Sequence, residues 1–83
     1  MTRNDMVVSL KNFLVNDLLV ETPIEEIRTD MGLASELNVD SLGFTEIMAH
    51  LEDEYNIRIS DEEFIPENFK NIDALINLVE SKK

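Results

Sequence analysis

Apolar residues recur at helical spacing in three separate stretches of the chain, and this periodicity limits the possible fold more than any other feature. In the first stretch Phe13 and Leu14 lie three and four positions after Leu10, which places them on one face of a helix. We expect this first helix at about residues 3–19. Because the same spacing returns twice later in the chain, the sequence predicts an all-α protein.

The second periodic stretch begins directly after Asp40. Phe44, Ile47 and Leu51 form an apolar stripe there, which predicts a second helix over about residues 41–55. Asp40 stands immediately before the stripe, where a short polar side chain accepts a hydrogen bond from the free N–H groups of the first turn. We therefore predict Asp40 as the N-cap of this helix.

The third periodic stretch closes the chain. Asn71 precedes it and can cap a last helix. Lys82 and Lys83 follow it, near the negative end of the helix dipole. The apolar positions of this helix fall at i, i+3, i+4 and i+7: Ile72, Leu75, Ile76 and Val79.

Residues 21–40 show no sustained period and predict a long loop between the first two helices. Thr22 precedes Pro23, and Glu25 follows three positions after the threonine. This order is typical of a capping box with proline in the first helical position, so we expect a helical turn at about residues 22–27. Five apolar residues are expected to hold the loop on the core: Ile24, Ile27, Met31, Leu33 and Leu37.

A second capping box is formed by Ser60 and Glu63 ahead of a stop at Pro66. This pattern predicts a third helix of one or two turns. The complete expectation is a four-helix bundle with three longer helices, a short third helix and a long loop between helices one and two. Scarce glycine and proline and the absence of repeats indicate one domain over residues 1–83.

The composition narrows the class of protein. Eighteen acidic residues against seven basic ones give a net charge of −11, which repels nucleic acids and anionic lipids and favours partners with basic surfaces. The chain has no cysteine and one histidine, so a disulfide framework or a Cys-based zinc site is excluded and no metal site is expected. With no apolar run long enough to span a membrane, we expect a cytoplasmic monomer.

Ser41 is the candidate functional residue because it lies in the first turn of the second helix. Unpaired N–H groups and the positive end of the helix dipole favour an anion attached there. On this motif alone, Ser41 is also compatible with a plain helix-start residue. A catalytic pair with His50 is not expected, since nine positions at roughly 100° each put the two side chains on opposite helix faces. We expect a solvated surface position for His50 and no enzymatic activity.

Three segments carry a resemblance to a known family. Residues 38–42 read Asn-Val-Asp-Ser-Leu, followed by Thr-Glu-Ile at 45–47 and Leu-Glu-Asp-Glu-Tyr at 51–55. The first segment resembles the Asp-Ser-Leu motif of acyl carrier proteins, the others resemble their second helix, and the likeness extends over nearly the whole chain.

The resemblance implies a covalent cofactor and a carrier function. A phosphopantetheinyl transferase would attach 4′-phosphopantetheine from coenzyme A to Ser41, between its motif neighbours Asp40 and Leu42. Acyl groups would then be held as thioesters on the thiol of the arm. The sulfur would belong to the prosthetic group, which explains how a chain without cysteine handles thioester chemistry.

Two departures from the family pattern bear on the pathway. Fatty-acid-synthesis members usually have glycine where this chain has Asn38 and aspartate where it has Gly43. The resemblance implies a stand-alone carrier of acyl intermediates in fatty-acid, polyketide or related specialised biosynthesis. The two departures favour a specialised polyketide, lipid or peptide-type pathway over housekeeping fatty-acid synthesis. The alternatives are an aminoacyl or aryl carrier of the peptidyl type, and an acidic helical interaction module without modification.

An acidic surface is expected along the second helix. Nine carboxylates and only one basic residue lie between Glu36 and Glu63. We predict that Glu46, Glu52 and Glu54 meet Lys and Arg on the loading and chain-processing enzymes, which makes the contacts salt-sensitive. The resemblance also implies that acyl chains slip between the second and third helices, where the flexible Met48 can accommodate them.

Three further expectations concern the core, Gly43 and metal ions. Gly43 is expected either to let a partner or the arm approach closely or to be merely tolerated in its helix. The acidic run 61–63 lacks calcium-loop spacing, so we expect only weak, nonspecific stabilisation by divalent ions. Seven residues are predicted to be core: Phe44, Ile47, Met48, Ile59, Phe64, Ile65 and Leu75.

Overall fold

The computed structural model describes residues 2–82, and within that range all regular structure is helical, with no strand. This confirms the all-α class. Between the second helix and the last one only a short 3₁₀ turn forms, so the described chain has three α-helices where four helices were expected. The elements in chain order are α1 (Arg3–Asn16), a 3₁₀ turn (Ile24–Glu26), α2 (Ser41–Tyr55), a second 3₁₀ turn (Pro66–Asn68) and α3 (Ile72–Ser81).

Helix α1 ends three residues earlier than predicted, at Asn16 rather than Leu19. Leu19 adopts a left-handed backbone conformation with φ of 58°. The chain reverses there, and the N–H of Val20 donates to the carbonyl of Leu14 over 3.0 Å. At the other end Thr2 accepts a hydrogen bond from the N–H of Asp5.

Helix α2 has the predicted bounds. Asp40 is the N-cap, because its Oδ1 accepts a hydrogen bond from the N–H of Gly43 over 2.8 Å. Asn56 follows the last helical residue with φ of 54° and ends the helix, since asparagine tolerates the left-handed conformation better than most side chains. Both ends of α2 are therefore set by short polar side chains.

The loop between α1 and α2 contains the predicted helical turn but not the predicted cap. Pro23 occupies the N-cap position of the 3₁₀ turn and no side chain caps it, so the capping box assigned to Thr22 is wrong. The loop is tied to the rest of the protein by the N–H of Leu33, which donates to the carbonyl of Lys70 over 2.9 Å. Of its five predicted anchors, Ile27, Leu33 and Leu37 are buried, whereas Ile24 and Met31 are half-buried.

The predicted third helix before Pro66 is wrong. Residues 61–63 form only a turn, and Glu63 Oε1 accepts hydrogen bonds from both the N–H and the hydroxyl of Ser60. Because that hydroxyl donates to the carboxylate, it does not serve as the acceptor of a capping box. Helical backbone starts instead at Pro66, whose missing N–H costs nothing in a first turn.

Helix α3 is capped as predicted and packs against α1. Asn71 Oδ1 accepts from the N–H of Ala74 over 2.7 Å. Arg3 of α1 reaches across to Glu80, at 2.8 Å, and to Asp73, at 3.6 Å. Lys82 follows the helix as its C-cap, while Lys83 lies outside the described residues.

The core draws side chains from all three helices and from both long connections. Ile47, Ile59 and Leu75 are buried as predicted, and Phe44 and Met48 are half-buried against them. Phe64 and Ile65 were predicted to be core and are exposed, at 36% and 39%. Because no helix forms before Pro66, neither side chain is carried into the interior. The fully buried large side chains are Leu10, Leu14, Ile27, Leu33, Ile47, Leu51, Ile72, Leu75, Ile76 and Val79.

Candidate functional site

Ser41 is the first residue of α2, and its side chain is exposed. The cap residue Asp40 takes up two amides of the first turn: its side chain accepts from Gly43, and its carbonyl accepts from Phe44 over 3.0 Å. Helix geometry gives the amides of Ser41 and Leu42 no partner within the helix. No acidic side chain lies in the first turn, so an anion on the serine hydroxyl meets free donors and the positive end of the dipole.

An apolar groove opens on one side of Ser41 and has a volume of about 580 Å³. Its walls come from α2, from the segment that precedes α3 and from the loop before α2. Phe64 and Phe69 meet edge to face in one wall, with ring centres 4.9 Å apart. The groove is lined by Gly32, Ala34, Ser35, Ser41, Phe44, Thr45, Phe64, Ile65, Pro66, Phe69 and Lys70.

Phe64 and Ile65 are not core residues, but both line the groove beside Ser41. They are partly exposed, and they lie with Ser41 on one surface. An apolar chain attached near Ser41 can cover them and remove their surface from water, which is favourable. The sequence feature that could have indicated this wall is the pair Phe64 and Ile65, two large apolar residues directly before Pro66.

A second depression, of about 410 Å³, lies beside Leu42. Leu42 is 69% exposed, and Leu19 on the same depression is 74% exposed. Sequence reasoning treated Leu19 as the end of the first helix and missed it as a surface residue. The left-handed backbone at this position is adopted by a leucine rather than a glycine, so the sequence did not indicate it.

The three predicted docking carboxylates and Met48 divide into two pairs. Glu46 and Glu54 are exposed on α2. Glu52 is half-buried, and its Oε2 accepts a hydrogen bond from the N–H of Ile59 over 2.8 Å. Met48 is half-buried against the core. Only the first pair is presented freely to a partner surface.

His50 is not the solvated surface residue that the sequence predicts. Its ring stacks on Phe13 of α1, with ring centres 4.0 Å apart and planes 18° from parallel. Its Nε2 is buried and has no hydrogen-bond partner among residues 2–82. Ser41 instead lines the groove beside Phe44 and Phe69, so the two side chains lie in different environments and do not form a catalytic pair.

Gly43 faces the protein interior. It is buried, and a Cβ added to it would lie 2.8 Å from Val39 Cγ1 and 3.3 Å from Asp40 Oδ1. Glycine is therefore needed here for packing and is not merely tolerated, while the expectation that it admits a partner or the arm stays a prediction. Glycine lets the loop before α2 pack against the first turn of the helix.

The acidic run 61–63 is partly committed to other contacts. Lys82 donates to Glu63 Oε1 over 2.6 Å, and this contact, with the backbone N–H of Ser60, holds the pKa of the Glu63 carboxyl below its ordinary value. Over residues 2–82 the acidic and histidine side chains form no group of three suited to a metal ion. Nor does that part of the chain contain a helix long and apolar enough to cross a membrane.

Comparison with known proteins gives one consistent family. The family model of the phosphopantetheine attachment site matches residues 14–79. The acyl carrier protein of Rickettsia bellii (strain OSU 85-389) is 37% identical over 60 residues, which are 72% of each chain. The acyl carrier protein of Coprothermobacter proteolyticus is 30% identical over 81 residues, 98% of this chain and 94% of that one.

A solved structure shares the fold over the full length of both chains. It is the acyl carrier protein from Enterococcus faecalis, with a TM-score of 0.79 and 24% sequence identity. The structural likeness shows the fold, and the sequence matches show the relationship. The family model matches residues 14–79, and both relatives are acyl carrier proteins. This chain therefore belongs to the acyl carrier protein family.

Proposed function

We propose that Ser41 carries 4′-phosphopantetheine and that the protein presents acyl groups, held as thioesters on this arm, to partner enzymes. The carrier class and the covalent cofactor come with the family. The assignment to Ser41 rests on one observation: its exposed side chain is the first of α2 and lines an apolar groove. Helix geometry leaves the amides of this first turn without partners inside the helix.

The residues around Ser41 fit the group. A phosphodiester on the hydroxyl is stabilised by the helix N-terminus, and Asp40 leaves this end open because its carboxylate is occupied by the N–H of Gly43. The prosthetic group supplies the thiol for thioester formation. The chain itself positions the attachment point and contributes no catalytic group to this proposal.

The groove supports acyl cargo over aminoacyl cargo. Its walls are formed mainly by aromatic and aliphatic side chains, among them Phe44, Phe64 and Phe69. Burial of an alkyl chain gains about 0.8 kcal/mol per CH₂ group, whereas the ammonium group of an aminoacyl thioester loses hydration in the same place. We therefore propose fatty-acid or polyketide-type intermediates as cargo.

Partner enzymes are proposed to dock through basic surfaces. The net charge of −11 and the exposed Glu46 and Glu54 on α2 favour Lys and Arg on the partner. Such contacts weaken as salt screens them. The match over residues 14–79 supports a single carrier unit, and we propose that it works as a monomer in the cytoplasm.

The proposal is tested by incubating the protein with coenzyme A, Mg²⁺ and a promiscuous phosphopantetheinyl transferase. We expect intact-protein mass spectrometry to show a gain of one phosphopantetheine in the wild type and none in Ser41→Ala. Ser35→Ala is the matched control, because Ser35 lies in the same groove, and it should be modified like the wild type. An unmodified but folded wild type would favour the acidic interaction module.

A further inference from the structure

Leu19 combines two features that are unfavourable for the isolated protein. Its backbone lies in the left-handed region, with φ of 58°, where a branched side chain is crowded and glycine is not. Its side chain is 74% exposed. A glycine at this position would end α1 with less backbone strain and less exposed apolar surface. A leucine here is therefore not explained by the stability of the fold.

Leu19 does not stand alone on the surface. Five large apolar side chains of the described chain are exposed, and the two most exposed are Leu19 and Leu42, at 74% and 69%. Both line the same depression of about 410 Å³, although Leu19 lies in the loop after α1 and Leu42 in the first turn of α2. Two exposed leucines converging on one depression form an apolar contact surface rather than scattered apolar residues.

The charges around this depression are all of one sign. Asp17, Glu21, Asp40 and Glu46 line it, and no Lys or Arg does so among residues 2–82. Two exposed leucines beside four carboxylates are complementary to an apolar pocket flanked by basic side chains. It does not suit an anionic membrane or a nucleic acid, which the same carboxylates repel.

The position of Leu42 indicates which partner binds this surface, because Leu42 is next to Ser41 and lies with it in the first turn of α2. An enzyme that reaches the Ser41 hydroxyl must cover the surface beside it. On the basis of the proposed function, we infer that Leu19 is a docking residue for the phosphopantetheinyl transferase and enters an apolar pocket of that enzyme together with Leu42. Leu19 thus extends the recognition surface from α2 onto the loop that follows α1.

The inference predicts that recognition and stability respond in opposite directions to Leu19→Gly. The variant removes the apolar contact and relieves the left-handed backbone, so modification should slow while the urea midpoint stays equal to the wild type or rises. We expect kcat/KM for modification by the promiscuous transferase to fall about tenfold, roughly the effect of losing one buried leucine side chain from an interface. Most of the fall should appear in KM.

Two variants make the test specific. Asn56→Gly is the matched backbone control, since Asn56 has φ of 54° and ends α2 roughly 20 Å from Ser41 at 1.5 Å per residue. It should leave kcat/KM unchanged. Leu19→Met keeps a large apolar side chain and should retain most of the wild-type rate.

The outcomes separate the inference from the proposed function. Slow modification of Leu19→Gly, with Asn56→Gly and Leu19→Met close to wild type, would support the docking role. A wild-type kcat/KM in Leu19→Gly, or an equal loss in Asn56→Gly, would overturn it while the carrier function stands. A wild type that is never modified would overturn the proposed function and, with it, this inference.

Discussion

Replacing Gly43 by alanine sets two known effects against each other. Alanine is favoured over glycine inside a helix by about 1 kcal/mol. The added Cβ, however, would lie 2.8 Å from Cγ1 of the buried Val39, and such overpacking typically costs about 1–3 kcal/mol. The difference is a net destabilisation of about 0–2 kcal/mol. We therefore expect Gly43→Ala to lower the free energy of unfolding by about 1 kcal/mol.

A double-mutant cycle isolates the contact that causes this loss. In a Val39→Ala background Cγ1 is absent, so Gly43→Ala should stabilise the protein by up to about 1 kcal/mol. The coupling energy between the two positions is then about 1–3 kcal/mol. Urea unfolding followed by far-UV circular dichroism measures all four variants, with an unchanged m-value as the control for two-state behaviour. A stabilisation of about 1 kcal/mol in both backgrounds would refute the packing argument.

Three further outcomes follow from individual residues. Asn38 has φ of 61°, so Asn38→Gly should raise the free energy of unfolding by up to about 1 kcal/mol and Asn38→Val should lower it by about 1–2 kcal/mol; equal urea midpoints for both would contradict this. His50→Phe removes a buried nitrogen without a partner and should stabilise the protein by about 1 kcal/mol, whereas a marked fall in the thermal midpoint would show that Nε2 is needed. Lys82 lowers the pKa of Glu63, so their ion pair stabilises the fold above the carboxyl pKa of the unfolded chain, and this stability is lost as the pH falls through the lower, folded-state pKa. In Lys82→Met the Glu63 pKa should rise toward its ordinary value in an NMR titration, and an unchanged pKa would argue against the pair.

The second helix was predictable because both of its ends carry local signals. Asp40 supplies a cap through its own side chain, and the apolar stripe between the ends has an unbroken helical period. The place of Ser41, the proposed attachment residue, in the first turn follows from the same local geometry and needs no distant contact. For these features the sequence contains the physical cause of the structure.

The remaining features depend on contacts between distant residues. The end of α1 was missed because Leu18 continues the apolar period while Leu19 reverses the backbone without a glycine. The helix expected at Ser60 does not form, and Glu63 contacts Lys82, nineteen positions later, which the local sequence does not indicate. His50 reads as polar, yet Phe13 of another helix covers it. From the sequence Gly43 could be merely tolerated in its helix, and only the position of Val39 in the fold shows that a larger side chain would clash.

The most direct test of the account is to locate the modification in the holo protein by fragmentation of its peptides in a mass spectrometer. The chain has five serines, at positions 9, 35, 41, 60 and 81, and only Ser41 begins a long helix beside an apolar groove. We predict that the phosphopantetheine mass lies on Ser41 alone. The same mass on any other serine, or a folded protein that the transferase leaves unmodified, would contradict the central claim.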